Sequence, residues 1–219
     1  MFIGHYGPVG IAAKGQFKLW QGFLAVQLLD ILWAPLVILG IEQVRIVPEF
    51  TQSNHFDLHH MPYSHSLVMA LFWSAASGLA YWGLQRRKQV VSAIVFATLV
   101  FSHWVFDFLT HIPDLPIWFA GPKVGLGLWE NRPLSFLLEI LLFAAGLLYF
   151  LFKTSSRSVW GRISGAALIA TAIGLQVIGN WGPPPENPSV AAASALFSYG
   201  LFIVLAYWVD CTRAVSAKV

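Results

Sequence analysis

The chain has 219 residues, of which 57% are hydrophobic and only 11% are charged, and its mean hydropathy is +0.67. Water-soluble domains usually carry about 25% charged residues, so this composition disfavours a soluble protein and favours an integral membrane protein. The net charge of +3 comes without a dense basic run that would indicate nucleic-acid binding, and a single cysteine, Cys211, excludes an internal disulfide.

The first predicted element is a short apolar segment, FIGHYGPVGIAA, at residues 2–13. About a dozen residues are too few to cross a membrane, so we predict a re-entrant or half-spanning helix. No basic stretch precedes the segment and no clear cleavage pattern follows it, which disfavours a signal peptide. If this helix enters the membrane from Lys14 backwards, the helical rise places His5 roughly 13 Å deep.

Six longer apolar stretches follow, each able to cross roughly 30 Å of hydrocarbon as a helix. The connecting segments are short and rich in turn-forming or charged residues, so we expect no separate domain. The predicted fold is all-α: one polytopic transmembrane helical bundle over residues 1–219, with a motif-bearing half (1–114) and a C-terminal helical half (115–219). The spans are placed near residues 19–41, 66–84, 90–110, 133–152, 161–179 and 190–209.

The basic residues predict an orientation, because Lys and Arg collect in cytoplasmic loops. Only Arg45, Lys123 and Arg132 fall on one side of the predicted spans, so that side is expected to be external. Both termini are then cytoplasmic. The other ten of the 13 basic residues are Lys14, Lys18, Arg86, Arg87, Lys88, Lys153, Arg157, Arg162, Arg213 and Lys218.

Several ionisable residues interrupt the apolar spans. Asp30 lies within the first predicted span, His103 within the third and Glu139 within the fourth. Counting the helical rise from the nearest cytoplasmic basic residue places all three roughly 18–22 Å deep, at a similar level. Asp107 follows His103 at i,i+4, so both side chains share one helical face, which His111 and Asp114 roughly continue.

Imidazoles and carboxylates at one level of a bundle are suited to a divalent metal, because neutral imidazole and carboxylate bind zinc and manganese. His65, at the start of the second predicted span, completes this set. A metal with an open coordination position lowers the pKa of bound water toward about 7, which is chemistry suited to hydrolysis.

Other interpretations of the same residues stay open. The carboxylate of Asp30 can bond a neighbouring helix, and His103 with Asp107 can form a structural hydrogen bond. His59 and His60 can be interfacial loop residues. His111 can cap the third span, and Glu139 can be a proton-sharing carboxylate between helices.

The motifs resemble the YdjM-like family of bacterial inner-membrane proteins, described as membrane-bound metal-dependent hydrolases. The family's early histidine is matched by His5 in IGHYG, and its later signatures by the stretches HMPYSHS and SHWVFD. Two positions depart from the family pattern, with Met61 in place of arginine and Ser64 in place of threonine. The acidic position is matched by Asp30 in LLDIL, where the family has a Pro-Asp-x-Asp type motif.

The resemblance implies an inner-membrane hydrolase that acts on an ester or phosphoester through a metal-activated water. The expected metal is zinc, with manganese or magnesium as alternatives, and the expected partners are membrane lipids and a small-molecule or lipid-linked substrate. No pattern specifies an oligomeric state. The rival functions are a proton- or metal-handling transporter and a non-catalytic membrane scaffold. The predicted metal ligands are His5, Asp30, His65, His103 and Asp107, and the predicted catalytic residues are His60 and Glu139.

Overall fold

A computed structural model describes residues 1–13, 17–86, 89–156 and 158–215 of the protein. The predicted all-α class is confirmed. The helices are α1 (Gly7–Ala12), α2 (Leu19–Val26), α3 (Leu28–Ile38), α4 (Leu67–Leu84), α5 (Val90–Thr110), α6 (Arg132–Lys153), α7 (Val159–Trp181) and α8 (Pro188–Thr212). Short strands pair in three antiparallel sheets: β1 (Gln43–Ile46) with β2 (Phe56–His60), β3 (Leu115–Pro116) with β4 (Lys123–Val124), and β5 (Thr154–Ser156) with β6 (Arg213–Val215). Two 3-10 turns cover Ile3–Tyr6 and Leu128–Glu130.

Five helices, α4 to α8, are long and apolar enough to cross a membrane, and α2 with α3 can form a sixth span. That pair is not the single helix predicted for residues 19–41, because it bends by 47° at Gln27. Large apolar side chains on the outer surface, such as Leu79, Phe152 and Phe197, are exposed. Apolar surface on this scale indicates contact with lipid. The helices therefore indicate a multi-pass membrane protein.

The helix starts are set by side-chain caps that the sequence supplies. The Ser66 hydroxyl accepts a hydrogen bond from the Met69 amide and begins α4, while Asn131 and Asn187 do the same for α6 and α8. Such caps satisfy amides that have no partner within the helix. The cap on α4 places His65 immediately outside the helix, facing the bundle.

Three connectors meet at one end of the bundle, which we call the site end. It holds the β1–β2 hairpin, residues 111–131 and residues 182–187. The Ser53 amide donates to the Trp129 carbonyl at 3.0 Å, and Lys123 Nζ donates to the His59 carbonyl at 2.6 Å. These are the connectors predicted to share one side of the membrane. Among the basic residues used for the orientation, Lys14, Arg87, Lys88, Arg157 and Lys218 lie outside the described residues.

The opposite end is held by two charged side chains. The Asp210 carboxylate accepts hydrogen bonds from the amides of Leu19 at 3.1 Å and Trp20 at 3.0 Å, and thereby joins α8 to the start of α2. Arg213 donates to the Leu151 and Thr154 carbonyls at 3.2 and 2.9 Å. The ends of α6 and α8 are therefore fixed to each other.

The N-terminal segment packs inside the bundle against α6. The 3-10 turn Ile3–Tyr6 is buried throughout, and α1 follows it with six residues, as expected for a segment too short to span. A Cβ on Gly10 would lie 1.9 Å from the Gly146 carbonyl oxygen, and a Cβ on Gly146 would lie 1.8 Å from the Gly7 carbonyl oxygen. Only glycine permits such a close backbone approach, which is a common basis of helix packing in membranes. This contact carries His5 into the core.

Candidate metal centre

The carboxylate of Asp107, on α5, is the centre of a buried polar cluster. Its Oδ2 lies 3.0 Å from His103 Nε2 and 3.7 Å from His65 Nε2. Its Oδ1 lies 3.2 Å from His5 Nε2 and 3.5 Å from His111 Nε2. The i,i+4 spacing predicted to place His103 and Asp107 on one face is confirmed. Four histidines from three segments of the chain therefore converge on one carboxylate: His5 from the N-terminal turn, His65 from the start of α4, and His103 and His111 from α5 and its end.

His103 is oriented by the break between α2 and α3. Helix α2 ends at Val26. The last carbonyl groups of a helix have no hydrogen-bond partner within that helix, so the carbonyl of Val26 is available to another donor. His103 Nδ1 lies 2.5 Å from this carbonyl oxygen, which can only accept a hydrogen bond. When the imidazole is neutral, as a metal ligand must be, its proton therefore lies on Nδ1. Its Nε2 then presents a lone pair to the carboxylates of Asp107 and Asp30, the latter 3.6 Å away.

His65 is oriented by a second network. Glu42 Oε1 accepts hydrogen bonds from the amides of Tyr63 and Ser64, and its Oε2 accepts one from the Ser64 hydroxyl at 2.5 Å. Since that hydroxyl donates to Glu42, it accepts from His65 Nδ1, which lies 2.7 Å away. His65 Nε2 then faces Asp30 Oδ1 at 3.2 Å with a lone pair.

In the neutral form of both imidazoles, the lone pairs of Nε2 therefore face carboxylate oxygens. A neutral Nε2 and a carboxylate oxygen are both acceptors, so their approach is repulsive unless a cation or a proton lies between them. Metal-bound histidines in proteins show the same pattern, with the second ring nitrogen held by a carboxylate, a carbonyl or another acceptor. The donor set therefore fits a divalent metal.

Two groups of side chains among the described residues can hold a metal ion. Each offers ligand atoms that all lie within 4.8 Å of one another. The first consists of His5, His103 and Asp107, and the second of Asp30, His65 and His103. Together they contain every predicted metal ligand.

His5 is the most remote of these ligands in sequence. Its ring stacks on that of His103, with centroids 3.8 Å apart and planes inclined by 5°, so the predicted approach of the two imidazoles is confirmed. His5 is completely buried, and neither ring nitrogen has a hydrogen-bond partner. A buried polar group without a partner is costly, and a bound cation would satisfy it. The amino nitrogen of Met1 also lies 2.8 Å from Asp107 Oδ1.

Asp30 forms the edge of the cluster. Its Oδ2 accepts a hydrogen bond from the Tyr199 hydroxyl at 2.8 Å, while its Oδ1 faces His65 and His103. The Asp30 side chain is 15% exposed, whereas His5, His65, His103 and Asp107 are at most 4% exposed. The side next to Asp30 and Tyr199 is therefore the most accessible approach to the cluster.

His111 extends the cluster toward the site end. Its Nδ1 donates to Asp114 Oδ1 at 2.8 Å, and Trp129 packs on its ring with centroids 3.9 Å apart. Burial lowers the pKa of His111, but the negative charges of Asp114 and Asp107 outweigh burial and raise this pKa above its usual value. His111 is thus held like His65 and His103, with an acceptor on Nδ1 and with Nε2 directed at Asp107.

The two predicted catalytic residues lie outside the two ligand groups. His60 is an exposed residue of β2, where it pairs with Gln43. Glu139 is buried, and its Oε2 accepts hydrogen bonds from the amides of Phe2 at 2.7 Å and Gly4 at 3.2 Å. Glu139 therefore holds the N-terminal turn that carries His5. The catalytic roles of both residues stay predictions.

Three groups that support the cluster were not predicted from the sequence. Glu42 follows an apolar stretch and resembles a loop residue, and Tyr199 is one of many aromatic residues in the spans. The Val26 carbonyl has no side-chain signal at all. The motif residue Ser64, next to His65, is the only local indication of the Glu42 network.

Replacement of Ser64 by alanine tests the support of His65. The variant removes the acceptor of His65 Nδ1. We expect metal affinity to fall by about 10–100-fold, as it does when the hydrogen-bond partner of a metal ligand is removed in other proteins. Competition with a chelating dye measures this affinity. The matched control is Ser77→Ala, whose hydroxyl only donates to the Ser74 carbonyl within α4. Equal affinities in the two variants would contradict the assigned orientation of His65.

No protein-family model, curated protein or solved structure matches this chain. The resemblance to the YdjM-like family therefore rests on the motif residues given above.

Proposed function

We propose that the protein is a membrane-embedded, metal-dependent hydrolase that acts on an ester or a phosphoester. The observation that carries this proposal is the convergence of oriented imidazole Nε2 atoms on the carboxylates of Asp30 and Asp107. A bound divalent cation polarises water and lowers its pKa, and thereby supplies the nucleophile for hydrolysis. An imidazole-rich set favours zinc, with manganese as the next choice, while magnesium prefers oxygen ligands.

The chain's own residues supply ligand orientation and proton handling. His65 and His103 are held by Ser64 and the Val26 carbonyl, so they need little rearrangement when a cation binds. At the accessible edge, the Tyr199 hydroxyl donates to Asp30 Oδ2. We assign the transfer of a proton to this pair, because a positioned hydroxyl and carboxylate can hold or release a proton beside the reacting group.

The substrate class follows from the depth and burial of the cluster. The cluster lies among apolar spans, and its most accessible edge is between α3 and α8, where Asp30 meets Tyr199. A substrate with an apolar body could approach from the bilayer with its polar group at this edge. We therefore propose a lipid or lipid-linked substrate.

Hydrolysis by the purified chain tests the proposal. We expect release of nitrophenol from p-nitrophenyl phosphate or p-nitrophenyl butyrate, or headgroup release from phospholipid vesicles, by zinc-loaded protein in detergent. Chelation should abolish the activity, zinc should restore it, and His103→Ala should lack it. Activity that survives both chelation and His103→Ala would contradict a metal-dependent hydrolase. Zinc uptake into proteoliposomes without hydrolysis would favour the transporter.

A proton relay is the rival that the hydrogen-bond chain suggests. Contacts run from Glu42 through Ser64 and His65 to Asp107, His111 and Asp114. However, Glu42 follows α3 and Asp114 follows α5, and both helices end at the site end. A hydrogen-bonded route with both ends on one side cannot move protons across a membrane, which argues against this relay.

The orientation in the bacterial inner membrane is a further prediction. We expect both termini to be cytoplasmic and the β1–β2 hairpin to be external, because ten of the 13 basic residues lie on the other side. Gln52, on the hairpin, and Cys211, near the end of α8, are both exposed. An impermeant maleimide added to whole cells should label Gln52→Cys in a Cys211→Ser background, and should not label native Cys211. The reverse labelling would overturn the orientation.

A further inference from the structure

The two oxygens of Asp107 face different sets of nitrogens. Oδ2 faces His103 and His65, whose Nε2 atoms also lie near Asp30. Oδ1 faces His5 Nε2 at 3.2 Å and His111 Nε2 at 3.5 Å. The stacked rings of His5 and His103 are thus directed at opposite oxygens of a single carboxylate.

From this division we infer that the cluster binds two divalent cations bridged by Asp107. The first is held by Asp30, His65, His103 and Oδ2, which is the ion of the proposed hydrolase. The second is held by His5 and Oδ1, which belong to one of the two ligand groups, and by His111, whose Nε2 lies 3.5 Å from Oδ1. This inference rests on the proposed first ion. Neither the motif residues nor the family resemblance predicts a second metal position.

The second site has its own supporting observations. Both ring nitrogens of His5 lack a hydrogen-bond partner although the side chain is completely buried, so its Nε2 is free to coordinate. The acceptor on His111 Nδ1 is the Asp114 carboxylate, which directs His111 Nε2 toward Oδ1. A carboxylate bonded to histidine in this way is the common support of a metal ligand.

A bridging carboxylate also explains why one acidic side chain receives so many nitrogens. Paired cations in hydrolytic sites lie about 3.5–4 Å apart, a separation that one carboxylate can bridge. The amino nitrogen of Met1 lies 2.8 Å from Oδ1, so the second cation must displace this group or accept it as a further ligand.

Manganese binding tests the inference directly, since neighbouring Mn²⁺ ions couple magnetically. The full chain, purified in detergent, is loaded with Mn²⁺ and desalted, then analysed for metal per chain and by electron paramagnetic resonance. We expect two ions per chain and a coupled spectrum in the parent. His111→Gln and His5→Gln should each retain one ion, with an isolated six-line spectrum. The matched control His59→Gln, on strand β2 of the β1–β2 hairpin, should behave like the parent.

The outcomes separate the second site from the proposed function. A single ion in the parent would overturn the second site and leave the metal-dependent hydrolase intact. Two coupled ions that persist in both His111→Gln and His5→Gln would overturn this assignment of ligands. A parent chain that binds no ion would overturn the metal centre itself, and the inference with it. Monodisperse elution of each variant excludes misfolding as the cause of a lost ion.

Discussion

We expect the replacement of Asp107 by asparagine to abolish metal binding while the protein still inserts into the membrane. The carboxylate faces the Nε2 atoms of four histidines, so its loss removes the negative charge on which the whole cluster depends. We expect metal affinity to fall by more than about 100-fold, which exceeds the effect of removing only a hydrogen-bond partner of a ligand. Insertion persists because it depends on the apolar spans, and removal of a buried charge makes it easier. Equilibrium competition with a chelator measures the affinity.

The fold should tolerate this substitution because asparagine retains the shape of aspartate. Its amide can donate hydrogen bonds to the histidine lone pairs that a cation would otherwise satisfy. The matched control is Asp57→Asn, a carboxylate on β2 that pairs with Arg45 outside the cluster. Retention of metal by Asp107→Asn at the parent's affinity would show that the cluster is a structural hydrogen-bond network.

Replacement of Gly146 by leucine should displace the N-terminal helix from α6. A Cβ at this position would lie 1.8 Å from the Gly7 carbonyl oxygen, a distance that only movement of the backbone can relieve. Overpacking of this kind typically costs about 1–3 kcal/mol or more. Since α1 follows the turn that carries His5, the variant should also withdraw this ligand from the cluster.

Cysteine reactivity can detect this displacement. Ile3 is completely buried, so Ile3→Cys in a Cys211→Ser background should be unreactive toward a maleimide and should become reactive when Gly146→Leu is added. The matched control is Gly174→Leu, because a Cβ on Gly174 meets no atom within 4 Å. Equal protection of Ile3→Cys in the two leucine variants would contradict the packing of α1 on α6.

The sequence predicts the long helices because each one is a continuous apolar run between turn-forming or charged segments. It does not predict the break at Gln27, since no glycine or proline marks that position. The break matters for the site, because it leaves the Val26 carbonyl available to His103. A backbone acceptor has no side-chain identity, so no sequence pattern could have indicated it.

The ligands differ in how far sequence alone can locate them. The pair His103 and Asp107 is fixed by i,i+4 spacing on one helix, which is a local property. His5 approaches His103 because glycines of α1 pack on Gly146 of α6, a contact between distant parts of the chain. Counting residues from Lys14 predicts only the depth of His5 in the membrane. Glu42 reaches the site through amides of Tyr63 and Ser64, about 20 residues further along the chain. Glu42 lies next to these amides only when the β1–β2 hairpin is folded, so the sequence alone does not predict this contact.

X-ray absorption spectroscopy of the zinc-loaded protein tests the central claim that the histidine and aspartate cluster binds a metal. The chain is incubated with zinc, desalted and measured beside His103→Ala. We expect retained zinc with nitrogen and oxygen ligands at about 2.0–2.2 Å, imidazole scattering in the parent, and loss of zinc in the variant. Failure to retain zinc, or a spectrum dominated by sulfur at about 2.3 Å from Cys211, would contradict the claim.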